Sequence, residues 1–163
     1  MEMKKIILII IILITASCAL TVKKSSIPTI AVWDIEDVSI SPLPMEKELS
    51  KLLSQEIIKA VQDTHKYRLI ERQKLLLVLE ELNLATSDLV DPQTQLKLGK
   101  ILGANFMLFS GYQVIGDKIR FDLRLVKVET GEIIKAKQKT LPYTSNWQNY
   151  LKIIYELTKK ILD

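Results

Sequence analysis

Two periods alternate along this chain, one of three to four residues and one of two, and their order predicts a mixed fold. Residues 29–35 are apolar on both sides of an extended backbone, with Ile30 and Val32 on one side and Ala31, Trp33 and Ile35 on the other. Such a strand belongs inside a sheet that is covered on both faces. After a connection carrying Pro42 and Pro44, residues 45–62 set Met45, Leu49, Leu52, Leu53, Ile57, Ala60 and Val61 at helical spacing. A short strand follows at 67–70. A second helix, 72–84, carries Leu75, Leu76, Val78, Leu79 and Leu82 around most of its circumference.

Asp91-Pro92 is a helix start, because aspartate caps free N–H groups and proline needs no donor in the first turn. That helix runs to Leu102 and stops at Gly103. Residues 104–115 form a long apolar strand, and Gly116-Asp117 is a two-residue hairpin turn. Beyond it the alternation is strict: Ile119, Phe121, Leu123 and Leu125 point inward, and Lys118, Arg120, Asp122 and Arg124 point outward. The phase flips at Val126 and Val128, which predicts a bulge or a strong twist. Thr130-Gly131 turns the chain into a last strand from Ile133 to about residue 141. A final helix, 146–162, has Trp147, Leu151, Ile154, Thr158 and Ile161 on one stripe. The order β-α-β-α-α-β-β-β-α predicts one α/β domain of the α+β type over 29–163, with a mixed sheet of about five strands and about four packed helices.

The first 17 residues are built differently. Lys4 and Lys5 precede nine unbroken isoleucines and leucines at 6–14, then the small residues Thr15, Ala16 and Ser17, and then Cys18. A basic start, a short apolar run and a small-residue site are the layout of a secretory signal. The continuous run is under half of the roughly 20 residues of a spanning helix. Counting on through Ala19, Leu20 and Val22 reaches the lower limit of a span, so an uncleaved anchor is the competing reading. Residues 18–28 are polar and aperiodic, a tether of at most about 35 Å.

Cys18 is the chain's single cysteine, so no internal disulfide is available. Its setting after Ala16-Ser17 resembles the lipobox of bacterial lipoproteins, in which the thiol receives a diacylglycerol and becomes the mature N-terminus. Thr15 stands where that pattern usually has leucine. The alternative is a plain signal cleaved near Ala19, with Cys18 incidental.

Removing Glu2, Lys4 and Lys5 leaves 21 basic against 18 acidic residues, too even a balance for nucleic acid, which calls for a concentrated basic face. With one histidine (His65) and one cysteine, the chain lacks the ligand sets of zinc sites, and no serine or threonine has a recognisable base. His65 is expected at a strand edge. Gly99 and Gly103 lack the phosphate-loop pattern and lie at a helix end; close packing and helix termination account for them. Asp34, Glu36 and Asp37 cluster after the first strand, where ligand sites often lie, but exposed loop carboxylates are commoner. Catalytic residues, metal and cofactor are therefore all expected to be absent. Lys135, Lys137 and Lys139 alternate on the last strand. They form either a basic face for an acidic partner or a guard against strand pairing, and the guard is the favoured reading.

The segments IAVWDIE (30–36), YRLIERQKL (67–75), LGKILGAN (98–105), Gly111-Tyr112 and LRLVKVETGEI (123–133) occur in this order. Together they resemble the CsgG-like lipoproteins of the curli-secretion superfamily, whose relatives include LpoB-type activators of penicillin-binding proteins and FlgO-type flagellar proteins. The resemblance implies a non-enzymatic lipoprotein held in its membrane by lipid on Cys18, facing the periplasm, with the outer membrane favoured over the inner. It implies envelope protein partners and leaves association with further copies of itself open. Two departures narrow it. Channel-forming members carry amphipathic hairpins, whereas here Gly116-Asp117 joins the strands directly. LpoB-type activators reach across the periplasm on a long linker, and residues 18–28 are too few for that. The reading is an envelope assembly or regulatory lipoprotein, with an LpoB-like activator second and a secretion-channel subunit third.

Mass spectrometry of the membrane-extracted protein should find Cys18 at the N-terminus, carrying acyl chains. An unlipidated terminus at Ala19 or Leu20 would exclude this.

Overall fold

A computed structural model describes residues 27–40, 46–70, 72–82 and 91–163. Cys18, the signal at 1–17, the tether up to residue 26, Met45, the connection with Pro42 and Pro44, and the expected helix end at 83–84 lie outside the described residues.

The elements are β1 (Thr29–Val32), β2 (Glu36–Asp37), α1 (Glu46–Thr64), β3 (Arg68–Leu69), α2 (Arg72–Glu81), α3 (Pro92–Ile101), β4 (Phe106–Ile115), β5 (Lys118–Lys127), β6 (Ile133–Pro142) and α4 (Trp147–Leu162). All strands join one sheet in the order β3-β1-β4-β5-β6, with β2 pairing β4 beyond the end of β1. Pairing is parallel among β3, β1 and β4 and antiparallel from β4 to β6. The mixed α+β fold is as the sequence predicts, with β2 as a sixth strand. β1 is a central strand, and its alternation divides the molecule. Ile30 and Val32 face the cluster under α1 and α4. Ala31 and Trp33 face a smaller cluster with Leu98 of α3 and Leu75, Val78 and Leu79 of α2.

Ile35 departs from the expected alternation and packs with Ile30. The strand is interrupted there, because the Ile35 N–H donates to the buried Ser54 Oγ of α1 at 3.1 Å. The larger cluster is closed by Ile119, Phe121, Leu123 and Leu125 of β5, none more than 2% exposed. Burying each is worth about 1.5–3 kcal/mol. α4 answers them with Tyr150, Ile154, Leu157, Thr158, Ile161 and Leu162. Tyr150 is absent from the predicted stripe yet fully buried, because its hydroxyl is satisfied by the chain just before the helix, donating to Thr144 O at 2.9 Å. Trp147 and Leu151 are only partly buried at the margin. α4 is also held to α1 and its end, by the Tyr155 hydroxyl on Asp63 Oδ2 (2.7 Å) and by Lys66 Nζ on Asp163 Oδ1 (2.8 Å). That ammonium holds the Asp163 carboxyl below its usual range.

The register shift predicted near Val126 exists between Leu125 and Val126, but β6 carries the extra residue. Leu125 faces Lys135 and Val126 faces Ile133, which leaves Ile134 in excess. Val126 and Val128 keep the alternation of β5; what changes is the other face, which α3 covers at that end. Gly99 of α3 is needed there, since a β-carbon built on it would stand 3.2 Å from Met107 Cγ and 3.3 Å from Val128 Cγ2, and closer still to Met107 Sδ. Gly103 ends α3 with φ of 67°.

On β4, Ser110 lies between Leu108 and Tyr112 on the buried face, and its buried hydroxyl has no hydrogen-bond partner among the described residues. An unsatisfied buried hydroxyl costs about 1–3 kcal/mol. Ser110→Ala should therefore stabilise the fold by about 1 kcal/mol and raise Tm by about 2–4 °C. A lowered Tm in calorimetry would mean that the hydroxyl is satisfied.

Candidate functional site

The helices do not cover both faces equally. α1 and α4 lie along the whole length of one face. α2 and α3 reach only the end of the other face that holds Met107 and Val128. Among the described residues no helix covers the rungs Phe109–Arg124–Ala136 and Gly111–Asp122–Gln138 on that side. They floor a groove of about 610 Å³, walled by Trp33, Glu36 and Gln95.

Both carboxylates in this groove are already engaged. Glu36 Oε1 accepts from Trp33 Nε1 at 3.1 Å and from Gln95 Nε2 at 3.3 Å. Arg120 Nε donates to Asp122 Oδ2 at 2.7 Å. Arg124 is exposed and forms no ion pair among the described residues. Gln95 is delivered by α3, whose start is fixed as the sequence predicts: Asp91 Oδ2 accepts from the Thr94 N–H and the Thr94 hydroxyl, each at 3.0 Å. Those bonds hold the Asp91 carboxyl below its ordinary range. The groove suits recognition by hydrogen bonding and charge. Among the described residues that line it, no nucleophile stands beside a base.

The carboxylate cluster of the sequence is split by the sheet. Glu36 pairs with Gly111 and Asp37 with Tyr112, so the two face opposite sides. Glu36 enters the groove, while Asp37 Oδ1 accepts from the Ser39 N–H at 2.8 Å and turns the chain. Among the described residues no three His, Cys, Asp or Glu stand together as metal ligands. His65 is not at a strand edge. It lies three residues before β3 and ends α1 with a left-handed backbone (φ of 53°), its N–H on Gln62 O. Histidine is among the side chains that tolerate this region best.

Lys135, Lys137 and Lys139 are all exposed on β6, the edge strand. They stand opposite Leu125, Leu123 and Phe121, so by register they share the face of α1 and α4, although Lys137 also contributes to the lining of the groove. None of the three forms an ion pair among the described residues. The grouping of Trp33, Glu36, Gln95 and Arg120 has no local signal in the sequence, since Glu36 and Gln95 are 59 residues apart.

Solved structures share this fold. The LpoB C-terminal domain from Salmonella enterica is 17% identical, with a TM-score of 0.58 over 74% of this chain and 87% of that one. The LpoB C-terminal domain from Escherichia coli is 18% identical, with a TM-score of 0.58 over 72% and 84%. Lipoprotein GNA1162 from Neisseria meningitidis is 13% identical, with a TM-score of 0.59 over 83% and 96%. At these identities the likeness is one of fold. No curated protein matches the sequence. The family model for the curli production assembly/transport component CsgG matches residues 15–115, more than half of the chain. Four of the five motif segments noted in the sequence fall inside that range, and the fifth, 123–133, lies beyond it. This chain belongs to the CsgG family.

Proposed function

We propose that this protein is a periplasm-facing lipoprotein of the bacterial cell envelope, tethered through acyl chains on Cys18, that assembles or regulates an envelope machine by protein contact and without catalysis. The observation that carries this reading is membership of the CsgG family in a chain whose domain follows a secretion-type segment and a lone cysteine. The short tether keeps the domain near its membrane, and the outer membrane is favoured. The groove supports a binding role, because its carboxylates are engaged by Trp33, Gln95 and Arg120 rather than poised for proton transfer.

An LpoB-like activator of penicillin-binding proteins is the second reading, favoured by the fold shared with the LpoB C-terminal domains. A self-sufficient channel is disfavoured by the commitments of β5. That strand is paired on both sides, and its apolar face lies under α1 and α4. A transmembrane strand needs about 9–11 residues in a closed barrel, and lipid exposure of β5 would remove it from the core.

Crosslinking in cells, followed by purification of the native lipoprotein, should recover periplasmic or membrane partners. Penicillin-binding proteins would select the second reading and secreted fibre subunits the channel; recovery of cytoplasmic proteins alone would refute an envelope role. In planar bilayers the purified protein should give no conductance. Uniform single-channel steps, abolished by deleting residues 119–125 but not by removing the lipid, would show that it forms a pore.

A further inference from the structure

β6 combines two properties of which the fold itself makes little use. The first is a backbone edge that no described strand covers. The Tyr143 N–H bonds to Asp117 O and the Lys127 N–H to Glu132 O. Since hydrogen-bonded pairs alternate along an antiparallel ladder, these two bonds fix its phase. Residues 135, 137, 139 and 141 turn their N–H and C=O groups toward β5. Ala136, Gln138 and Thr140 turn theirs outward. Pro142, which has no N–H, falls at an outward position, where the ladder loses nothing. The second property is charge. Lys135, Lys137 and Lys139 are exposed and lie on one face at every second residue; none is in a salt bridge among the described residues, and Lys135 acts only at longer range on the Asp163 carboxylate.

We propose that the β6 edge receives an extended acidic segment of a partner protein, which adds to the sheet as a seventh strand beside Ala136, Gln138 and Thr140, with Asp or Glu at alternate positions against the three lysines. The proposal rests on the reading that this protein works by protein contact, and it assigns the contact to a particular edge. Backbone bonding of this kind supplies affinity and alternate side chains supply specificity. The lysines also decide between occupants. A second copy docking through the same edge would set lysine against lysine, and like charges directly opposite are destabilising. An acidic strand meets three opposite charges instead. On the other face the added strand would lie beside Ala136, Gln138 and Thr140, whose short or uncharged side chains leave it room. The bulge at Ile133 and Ile134 and the proline at 142 limit the receiving stretch to the residues between them.

The test uses the full-length chain in detergent and fluorescein-labelled peptides as long as β6. One has glutamate alternating with threonine. A second has the same composition with the glutamates in one block. Anisotropy should show the alternating peptide binding about tenfold more tightly than the block peptide. Amide exchange should slow at Ala136, Gln138 and Thr140. K137E with K139E should lose this peptide and gain one in which lysine alternates with threonine. Q138P removes one outward donor while leaving the ladder to β5 complete, and should weaken the alternating peptide without unfolding the domain. Equal binding of both acidic peptides with no change in amide exchange would reduce the effect to diffuse charge attraction and overturn the proposal. Absence of binding, or sedimentation showing two copies joined through β6, would overturn it as well. None of these results depends on lipid at Cys18, so they separate from a failure of the tethering reading.

Discussion

Ile119, Phe121, Leu123 and Leu125 have to stay dry, and that requirement organises the molecule. Water can be excluded from one face of β5 only if α1 and α4 close over it together. This fixes the crossing of those helices and explains why the ties between them (Tyr155 to Asp63, Lys66 to Asp163) sit where the two helices meet. It also commits both hydrogen-bonding edges of β5, one to β4 and one to β6. The strand with the most regular alternation is thereby the one least able to leave the sheet, and the unsatisfied edge is passed outward to β6.

Much of this was legible because burial here is periodic. β5 could be read from its alternation, α3 from Asp91-Pro92 and Gly103, and the central position of β1 from apolar residues on both sides. What was not legible depends on partners distant in the chain. Ile35 changes sides because Ser54 takes its N–H, and nothing in residues 33–35 announces a serine 19 positions on. Tyr150 reads as a polar interruption until the turn that satisfies its hydroxyl is seen. Val126 and Val128 look like a lapse in phase, but the sequence gives no notice that α3 covers only that end of the opposite face. The candidate surface fared similarly. The lysines are visible as a stripe, yet which side of the sheet they occupy follows only from the register with β5.

The two faces of the sheet thus have unequal duties. Among the described residues one is sealed along its length and the other only around Met107, leaving a groove whose carboxylates are held by Trp33, Gln95 and Arg120. The part of the chain matched by the CsgG model ends with β4. Residues beyond it supply Phe121, Tyr150, Ile154 and Ile161, without which α1 would have little to close against. The family-defining half and the remainder are therefore halves of one core.

Asn105 joins those halves at one end of the sheet. Its side chain accepts from the Thr29 N–H at 2.8 Å, its own N–H donates to Thr29 O at 2.9 Å, and its carbonyl takes the Val128 N–H at 3.0 Å. Thr29 and Asn105 are 76 residues apart. A chain made from its N-terminus therefore produces β1 long before β4; β3 emerges first and can pair one edge of β1, but the other edge stays bare until β4 follows. The antiparallel run β4-β5-β6 has no such delay, since its strands follow one another through short turns. Closing a long loop carries more entropy than closing a hairpin, so the hairpins are the natural template and β1 the late arrival.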